Sequence, residues 1–258
     1  MILPDLLRFL KDNQTSIVTG VIGSLVAVLL QVLVTVTVNT LTYFLTLRMR
    51  LKRLFSFNTK AGEILVVSGS VEGLATAGVA FLAGPDASAA LKVLRSLQDI
   101  FPKSSIKHLY SSIDQPSSAF SDDVVTIGGP VFNSCTKYML DHSFSIVSFD
   151  ESDRLVCDGH TYEMSAEAQV DFGLVYRFKN PAANDKKVIV IAGCGSHGVL
   201  AASMLFERAR KSADLRKSFS KKRRLLDKVF NKDFVAIVKC RVSGNDISNV
   251  NVELVKTI

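Results

Sequence analysis

The pattern of hydrophobic and polar positions divides the chain into one long uncharged stretch and a region of short apolar runs. The stretch from Ile17 to Val38 reads IVTGVIGSLVAVLLQVLVTVTV, 22 residues without a charged side chain. At about 1.5 Å per residue it makes a helix of roughly 33 Å, which matches a hydrocarbon core of about 30 Å. The pattern predicts a permanent transmembrane helix. A cleaved signal peptide is disfavoured because the stretch is long and no small-x-small cleavage site follows it.

Charges beside this stretch predict its orientation. Basic and acidic residues balance before the span, whereas four basic residues follow it: Arg48, Arg50, Lys52 and Arg53. The positive-inside bias predicts that these four contact the inner membrane surface. We therefore expect a short extracytoplasmic N-terminus (1–16), a membrane span (17–38), a basic juxtamembrane connector (39–60) and a cytoplasmic domain (61–258). The pair Gly20 and Ser24, together with Gln31, predicts homo-oligomers through the span.

After residue 61, short runs rich in β-branched residues alternate with helical segments, which is typical of an α/β sheet covered by helices. The predicted strands are 63–68, 123–127, 144–148, 172–178, 187–192, 234–242 and 250–255. The predicted helices are 87–100, 132–141, 197–212 and 215–229. Because several strands are apolar throughout, we expect a Rossmann-like layered domain with a mainly parallel sheet. Residues 160–178 predict an antiparallel edge, and 71–84 stay open between helix, loop and membrane-touching segment.

A glycine-rich turn follows the strand at 187–192 and has the spacing Gly193-x-Gly195-x-x-Gly198. A dinucleotide fingerprint follows the first strand of its fold and has an acidic residue about 20 residues further on. This turn comes after several strands and leads into a basic segment, so we do not expect NAD. The turn instead predicts an anion-binding corner at a helix N-terminus, with Ser196 as a ligand contact or a helix cap.

A second turn has the same form. The sequence VVTIGGPVFN places Gly128 and Gly129 after a buried strand, with Asn133 at the start of the next helix. If both strands are parallel, both turns lie at the carboxyl edge of the sheet, where open α/β folds bind ligands. Asn133 is therefore either a ligand contact or a helix cap.

A third motif, DFGLVYRFKNP, begins at Asp171 and carries Arg177 six residues later. On a regular strand the two side chains share a face. Arg177 is expected to clamp an anion, and Asp171 to act as an acid, base or ribose contact, unless the two form a structural pair. Together with Glu163 and His197, Asp171 forms the candidate catalytic set.

These three motifs resemble a prokaryotic α/β domain found in archaeal S-layer-like C-terminal regions and in bacterial membrane-anchored proteins. The resemblance covers about residues 120–205 and implies a fold. The surface-layer versions face the cell exterior, whereas the charges here predict a cytoplasmic domain, so no surface-layer function is carried over.

Charge is concentrated in residues 208–232, which hold eleven Lys or Arg and two Asp. The net positive charge of this segment is larger than the formal net charge of +7 for the whole chain. A solvated helix face is one interpretation; contact with the inner leaflet or with nucleic acid is the other. The residues expected to make that contact are Lys221, Lys222, Arg223 and Arg224.

The four cysteines form no CxxC pair, and the histidines share no ligand spacing, so we expect no metal site and no cofactor. Three hypotheses follow. The first is a single-pass membrane protein whose cytoplasmic domain senses a small anionic, nucleotide-like ligand. The second is a tethered hydrolase or transferase acting on a nucleotide or glycosidic bond. The third is a scaffold that binds lipid or, less favoured, nucleic acid.

Overall fold

The computed structural model describes residues 11, 14–57, 62–69, 84–111, 120–143, 146–207 and 232–258. The chain forms two compact units, Met1–Met49 and Arg50–Ile258. The described part of the first unit belongs to helix α1, Gln14–Phe55, apart from residue 11. Its stretch Ser24–Thr42 is long and apolar enough to cross a membrane, with a mean hydropathy of 2.0 and no part buried. The predicted apolar helix is confirmed, with the most apolar window starting later than expected.

Two threonine hydroxyls in this apolar stretch donate to backbone carbonyls of the same helix. The hydroxyl of Thr35 donates to the carbonyl of Gln31 at 2.7 Å, and that of Thr37 donates to Leu33 at 2.8 Å. Such bonds lower the free-energy cost of placing hydroxyl groups in hydrocarbon, because no water is present there to accept a hydrogen bond from them.

The second unit carries ten strands and three further α-helices in its described part. In chain order these elements are β1 Glu63–Ser68, α2 Gly84–Ile100, β2 Ser105–Tyr110, β3 Asp123–Ile127, α3 Ser134–Asp141, β4 Val147–Phe149, β5 Leu155–Cys157, β6 His160–Tyr162, β7 Val170–Lys179, β8 Lys187–Gly193, α4 Ser196–Ser203, β9 Phe234–Ser243 and β10 Asp246–Thr257. A short 3-10 turn, Met204–Phe206, follows α4.

The main sheet has seven strands in the order β10-β9-β7-β8-β3-β1-β2. Strands β2, β1, β3 and β8 run parallel, while β7, β9 and β10 each pair antiparallel with their neighbours. A second sheet contains β4, β5 and β6. The predicted α/β class and the mixed sheet with an antiparallel edge are confirmed.

Both faces of the main sheet are covered, as its continuous apolar strands require. On one face, Leu174, Tyr176 and Phe178 of β7 pack with Met139 of α3 and Leu155 of the small sheet. The alternate residues of β7 point to the other face, where the backbone of Gly173 approaches α4 closely. That face also holds the aromatic contact between Phe55, at the end of α1, and Phe206, with ring centroids 4.9 Å apart.

Several predicted boundaries are wrong. Residues 160–178 do not form one hairpin of the edge, because β6 pairs with β5 in the small sheet and only the bridge between Ser165 and Val170 links the two stretches. The α-helix predicted over 197–212 ends at Ser203. The exposed strand β2 and the short strand β5 escaped the apolar pattern, whereas β6 lies within the first of the two strands predicted over 160–178. The predicted helix 215–229 and all but the last residue of 71–84 lie outside the described residues.

Candidate functional site

A cavity lies at the carboxyl edge of the parallel strands. The chain after β1 continues to β2 on one side, whereas the chain after β3 next joins this sheet at β7 on the other side, so the two connections diverge between the adjacent strands β1 and β3. Open α/β sheets bind ligands at such a divergence, because the outgoing loops separate and leave a crevice. The cavity lies at this position because Gly69 after β1, Gly129 after β3 and Gly193 at the end of β8 all line it.

The volume of this cavity is about 250 Å³. Its described lining comes from the ends of β1, β3 and β8 and the loops after them, from the starts of α2 and α4, and from the small sheet with its turn: Gly69, Asp86, Gly129, Pro130, Val131, Phe132, Phe149, Asp153, Gly193, Cys194, Gly195, Ser196 and Val199. Four predicted ligand contacts belong to this lining, namely Gly129, Gly193, Gly195 and Ser196. The other four, Gly128, Asn133, Arg177 and Gly198, do not.

Asn133 is a structural cap. Its side-chain oxygen accepts from the amide of Thr136 at 3.1 Å, and its side-chain nitrogen donates to the carbonyls of Val67 and Ile127, both at 3.0 Å. The residue is fully buried and joins the start of α3 to the ends of β1 and β3. Its neighbour Gly128 has φ +112°, a conformation that favours glycine, which turns the chain out of β3. The cap is the alternative that these contacts support.

The glycine turn after β8 already holds an anion, the carboxylate of Asp171. Its two oxygens accept from the amides of Gly195 at 3.1 Å and Gly198 at 2.6 Å, and from its neighbour Phe172 at 2.7 Å. Burial raises the pKa of Asp171, while these three amide bonds lower it in part. The predicted anion corner therefore exists, but a side chain of the same domain fills it.

Close approach between α4 and β7 explains two of the glycines. A Cβ atom at Gly198 would lie 2.1 Å from the carbonyl oxygen of Phe172, and one at Gly195 would lie 2.7 Å from Asp171 Oδ2. A side chain at either position would displace the backbone or the carboxylate. The expected helix cap by Ser196 is wrong, because Gly195 occupies the N-cap position. The carboxylate of Asp171 on β7 accepts from the first-turn amide of Gly198 instead.

Asp86, Phe132 and Asp153 are lining residues of the cavity that the sequence analysis missed, and Asp86 is the one of the three with a buried oxygen that has no partner among the described residues. It lies in the first turn of α2, and its Oδ1 atom is buried without a hydrogen-bond partner among the described residues. Burial, together with the negative charge of Asp171, raises the pKa of Asp86 to about 6. The sequence carried one signal: Gly84-Pro85-Asp86 is typical of a helix start, with proline in the first turn and an acid beside it.

Arg177 lies at the opposite edge of the sheet. Its register partner on β8 is Ile189, whereas the residue beside the cavity is Gly193. The guanidinium donates to the carbonyls of Arg53 at 2.7 Å and Leu54 at 2.5 Å, in the last turn of α1, and to that of Lys232. Burial lowers the pKa of Arg177 to about 10, and Asp233 raises it in part. Arg177 therefore caps the C-terminal end of α1, where free carbonyls attract a cation.

The expected pairing of Asp171 with Arg177 is not formed, although both lie on the same face of β7. The candidate catalytic set is brought together only in part: His197 lies close enough to Asp171 to contribute to lowering the pKa of that carboxyl. Glu163 is exposed after β6 and does not line the cavity, and His197 follows the glycine turn outside the lining. The ring atom Nε2 of His197 is buried without a hydrogen-bond partner in the described part of the chain.

Cysteine chemistry is disfavoured at the cavity. Cys194 is its only cysteine among the described lining residues, and burial raises the pKa of that thiol to about 11. A thiol with that pKa is protonated at neutral pH and is a poor nucleophile. The described residues contain no group of three or more His, Cys, Asp or Glu side chains that could hold a metal ion.

The predicted membrane-contact residues fall in different places. Arg48, Lys52 and Arg53 are exposed and Arg50 is half-buried near the end of α1. Residues 221–224 and most of the basic segment lie outside the described residues, so contact with a polyanion there stays a prediction.

The fold and this cavity define an α/β protein with a crevice of about 250 Å³ at its sheet edge and an apolar N-terminal helix. A scan against protein-family models finds no match to the chain, and a search of curated proteins finds none either. The resemblance to the prokaryotic domain of S-layer-like proteins stays a prediction.

Proposed function

We propose that this chain is a single-pass membrane sensor whose Rossmann-like, cytoplasmic domain binds a small nucleotide-like ligand and signals to the membrane segment. The observation that carries the proposal is the cavity between the diverging ends of β1 and β3. It combines glycine turns, which admit a ligand close to the backbone, with the buried carboxylate oxygen of Asp86. Ligand sites in proteins combine apolar walls with a few such polar groups.

A route from the cavity to α1 supports the signalling part of the proposal. Strand β7 carries Asp171 at one end, bonded to the glycine turn beside the cavity, and Arg177 at the other, bonded to the last turn of α1. A ligand that moves the glycine turn would change the position of one rigid strand. The lipid bilayer and a second copy of the apolar helix remain the proposed partners of α1.

The test is ligand-induced stabilisation of the full-length protein in detergent micelles. The panel contains nucleosides, nucleotides, cyclic nucleotides and dinucleotides. A ligand present at about 100 times its dissociation constant adds about 2.7 kcal/mol to the free energy of unfolding. The proposal expects such a shift for at least one compound, and a flat panel with well-folded protein would count against it.

A pair of leucine variants gives this screen its control. Gly129→Leu adds a side chain at the cavity, and the first atom of that side chain would lie 3.6 Å from the carbonyl oxygen of Gly193, an ordinary contact. Gly84→Leu adds the same bulk where nothing lies within 4 Å. We expect the first variant to lose the ligand-induced shift and the second to keep it.

A hydrolase or transferase acting on a nucleotide or glycosidic bond is the second candidate. The raised pKa of Asp86 favours it, because a carboxyl group with a pKa of about 6 can donate a proton to a leaving group near neutral pH. Product analysis of any stabilised sample separates the two candidates. Turnover that Asp86→Asn abolishes would identify an enzyme, and unchanged ligand after prolonged incubation would identify a sensor.

A further inference from the structure

The charge of the cavity points to the part of the ligand that it holds. Its described lining contains two carboxylates, Asp86 and Asp153, and no lysine or arginine. The amides of Gly195 and Gly198, which would otherwise attract an anion, are bonded to Asp171. A phosphate inside this cavity would therefore face carboxylates without a compensating cation from the described lining.

The buried carboxylate oxygen of Asp86 requires a hydrogen-bond donor, and the exposed carboxylate of Asp153 can accept from one. Oδ1 of Asp86 is buried and has no partner among the described residues, and a buried carboxylate oxygen without a donor is costly. Asp153 projects from the turn between β4 and β5, where φ +57° is a conformation that Asp adopts more readily than most residues. Hydroxyl and amino groups are the donors that a small ligand offers to such oxygens.

The apolar part of the lining offers a flat contact. Phe132 is 54 % exposed and its neighbour Val131 is 61 % exposed, although both lie at the cavity. An exposed aromatic ring beside a cavity suits the face of a planar heterocycle, since bases stack on aromatic side chains. The volume of about 250 Å³ is below the range of about 300–1,000 Å³ common for drug-sized ligands. A single nucleoside therefore matches the volume of this cavity better than a dinucleotide does.

We infer that the cavity recognises an uncharged ribonucleoside moiety, with Asp86 and Asp153 accepting from its hydroxyl or amino groups and Phe132 contacting the base. This inference rests on the proposed function and narrows its ligand class. A phosphate on the same molecule lies outside the cavity or is absent.

The experiment is calorimetric titration of the full-length protein in detergent micelles with four ribonucleosides, their 2′-deoxy forms and their 5′-monophosphates. We expect one ribonucleoside to bind at least as tightly as its monophosphate, because a phosphate meets two carboxylates and no cation in the described lining. We expect it to bind about tenfold more tightly than its 2′-deoxy form, because a hydrogen bond to a charged group is worth about tenfold or more in affinity. Tighter binding of the monophosphates would overturn the inference and leave the proposed function standing. Binding by no compound would overturn both.

Two variants assign the contacts. Asp86→Asn keeps the shape of the side chain, and we expect it to weaken binding of the ribonucleoside by at least about tenfold. Phe132→Ala removes an exposed ring, so folding does not depend on it, and we expect a loss of about tenfold from stacking. Asp185→Asn, at an exposed carboxylate outside the lining, is the matched control. Unchanged affinity in both cavity variants would overturn the inference.

Discussion

Replacing Asp86 by asparagine should stabilise the domain in the absence of ligand. The carboxyl group of Asp86 is buried at the cavity beside Asp171, and this raises its pKa from 3.8 to about 6. At neutral pH the folded protein therefore holds a negative charge in an unfavourable place. Asparagine has the same shape and no charge. A binding residue that costs stability is common where ligand contact needs a strained or buried group.

The magnitude follows from the shift in pKa. Each pKa unit corresponds to about 1.4 kcal/mol, so a rise from 3.8 to about 6 costs about 3 kcal/mol once Asp86 is ionised. Asp86 also lies in the first turn of α2, where the helix dipole favours a carboxylate by about 0.3–1 kcal/mol. We expect Asp86→Asn to gain about 2 kcal/mol at about pH 7.5, or roughly 4–8 °C in melting temperature for a domain of this size.

The pH dependence of that gain tests its cause. Below the unfolded pKa of 3.8 both states hold the proton, so wild type and variant should be equally stable. Between there and about pH 6 the folded state keeps a proton that the unfolded chain has released, so wild type loses stability as pH rises. The assay is thermal melting of the full-length protein at several pH values from about 4 to about 8.

Asp158→Asn is a control of opposite sign. A hydrogen bond from Lys256, with the two atoms 2.6 Å apart, lowers the pKa of Asp158. Removing that carboxylate should lower stability above the unfolded pKa, and the difference should vanish as pH falls. A gain for Asp86→Asn that is the same at low and neutral pH would refute the electrostatic explanation. A loss of stability at neutral pH would refute it also.

Three further predictions concern the glycine turn and the end of α1. Asp171→Ala should cost about 2–4 kcal/mol, because the amides of Gly195, Gly198 and Phe172 lose their acceptor, and thermal melting measures this cost. An unchanged melting temperature with lost ligand binding would instead make Asp171 a ligand contact. Gly198→Ala should destabilise the domain severely, because the added Cβ would lie 2.1 Å from the carbonyl oxygen of Phe172. Gly129→Ala should be tolerated, because its Cβ would lie 3.6 Å from the nearest non-neighbouring atom. Equal soluble yield and equal melting temperature of the two variants would contradict this. Arg177→Leu should lower the free energy of unfolding by about 3–5 kcal/mol, because it removes one partner of a buried charge network. It should also speed hydrogen exchange at residues 50–57. Slow exchange there would show that the end of α1 does not need Arg177 as its cap.

The strands with continuous apolar residues could be predicted from the sequence. Strands β1 and β3 have the predicted bounds, because a parallel strand buried on both faces reads as an uninterrupted run. Strand β2, with the sequence SIKHLY, was missed because it is an edge strand whose side chains are largely exposed. Its polar residues give no apolar pattern, and only pairing with β1 makes it a strand.

The motifs could be placed on elements from the sequence, but their roles could not. Asp171 and Arg177 were both expected near a ligand because six residues on a strand keep them on one face. That spacing also places them at opposite ends of a ten-residue strand, β7. One therefore meets the start of α4 and the other the end of α1. Asp86 and Asp153, the carboxylates that do line the cavity, belong to no motif.

Local and periodic properties are what the sequence by itself determined about this protein: the apolar helix, the alternation of strands and helices, and the glycine turns at strand ends. These depend on residues near each other in the chain, through side-chain periodicity and the conformational freedom of glycine. Only the tertiary structure decided which groups meet. From the sequence, the anion bonded to the amides of the glycine turn could be either a ligand or a side chain of the same domain. Packing of α4 against β7 brought Asp171 to them and left the buried carboxylate of Asp86 at the cavity.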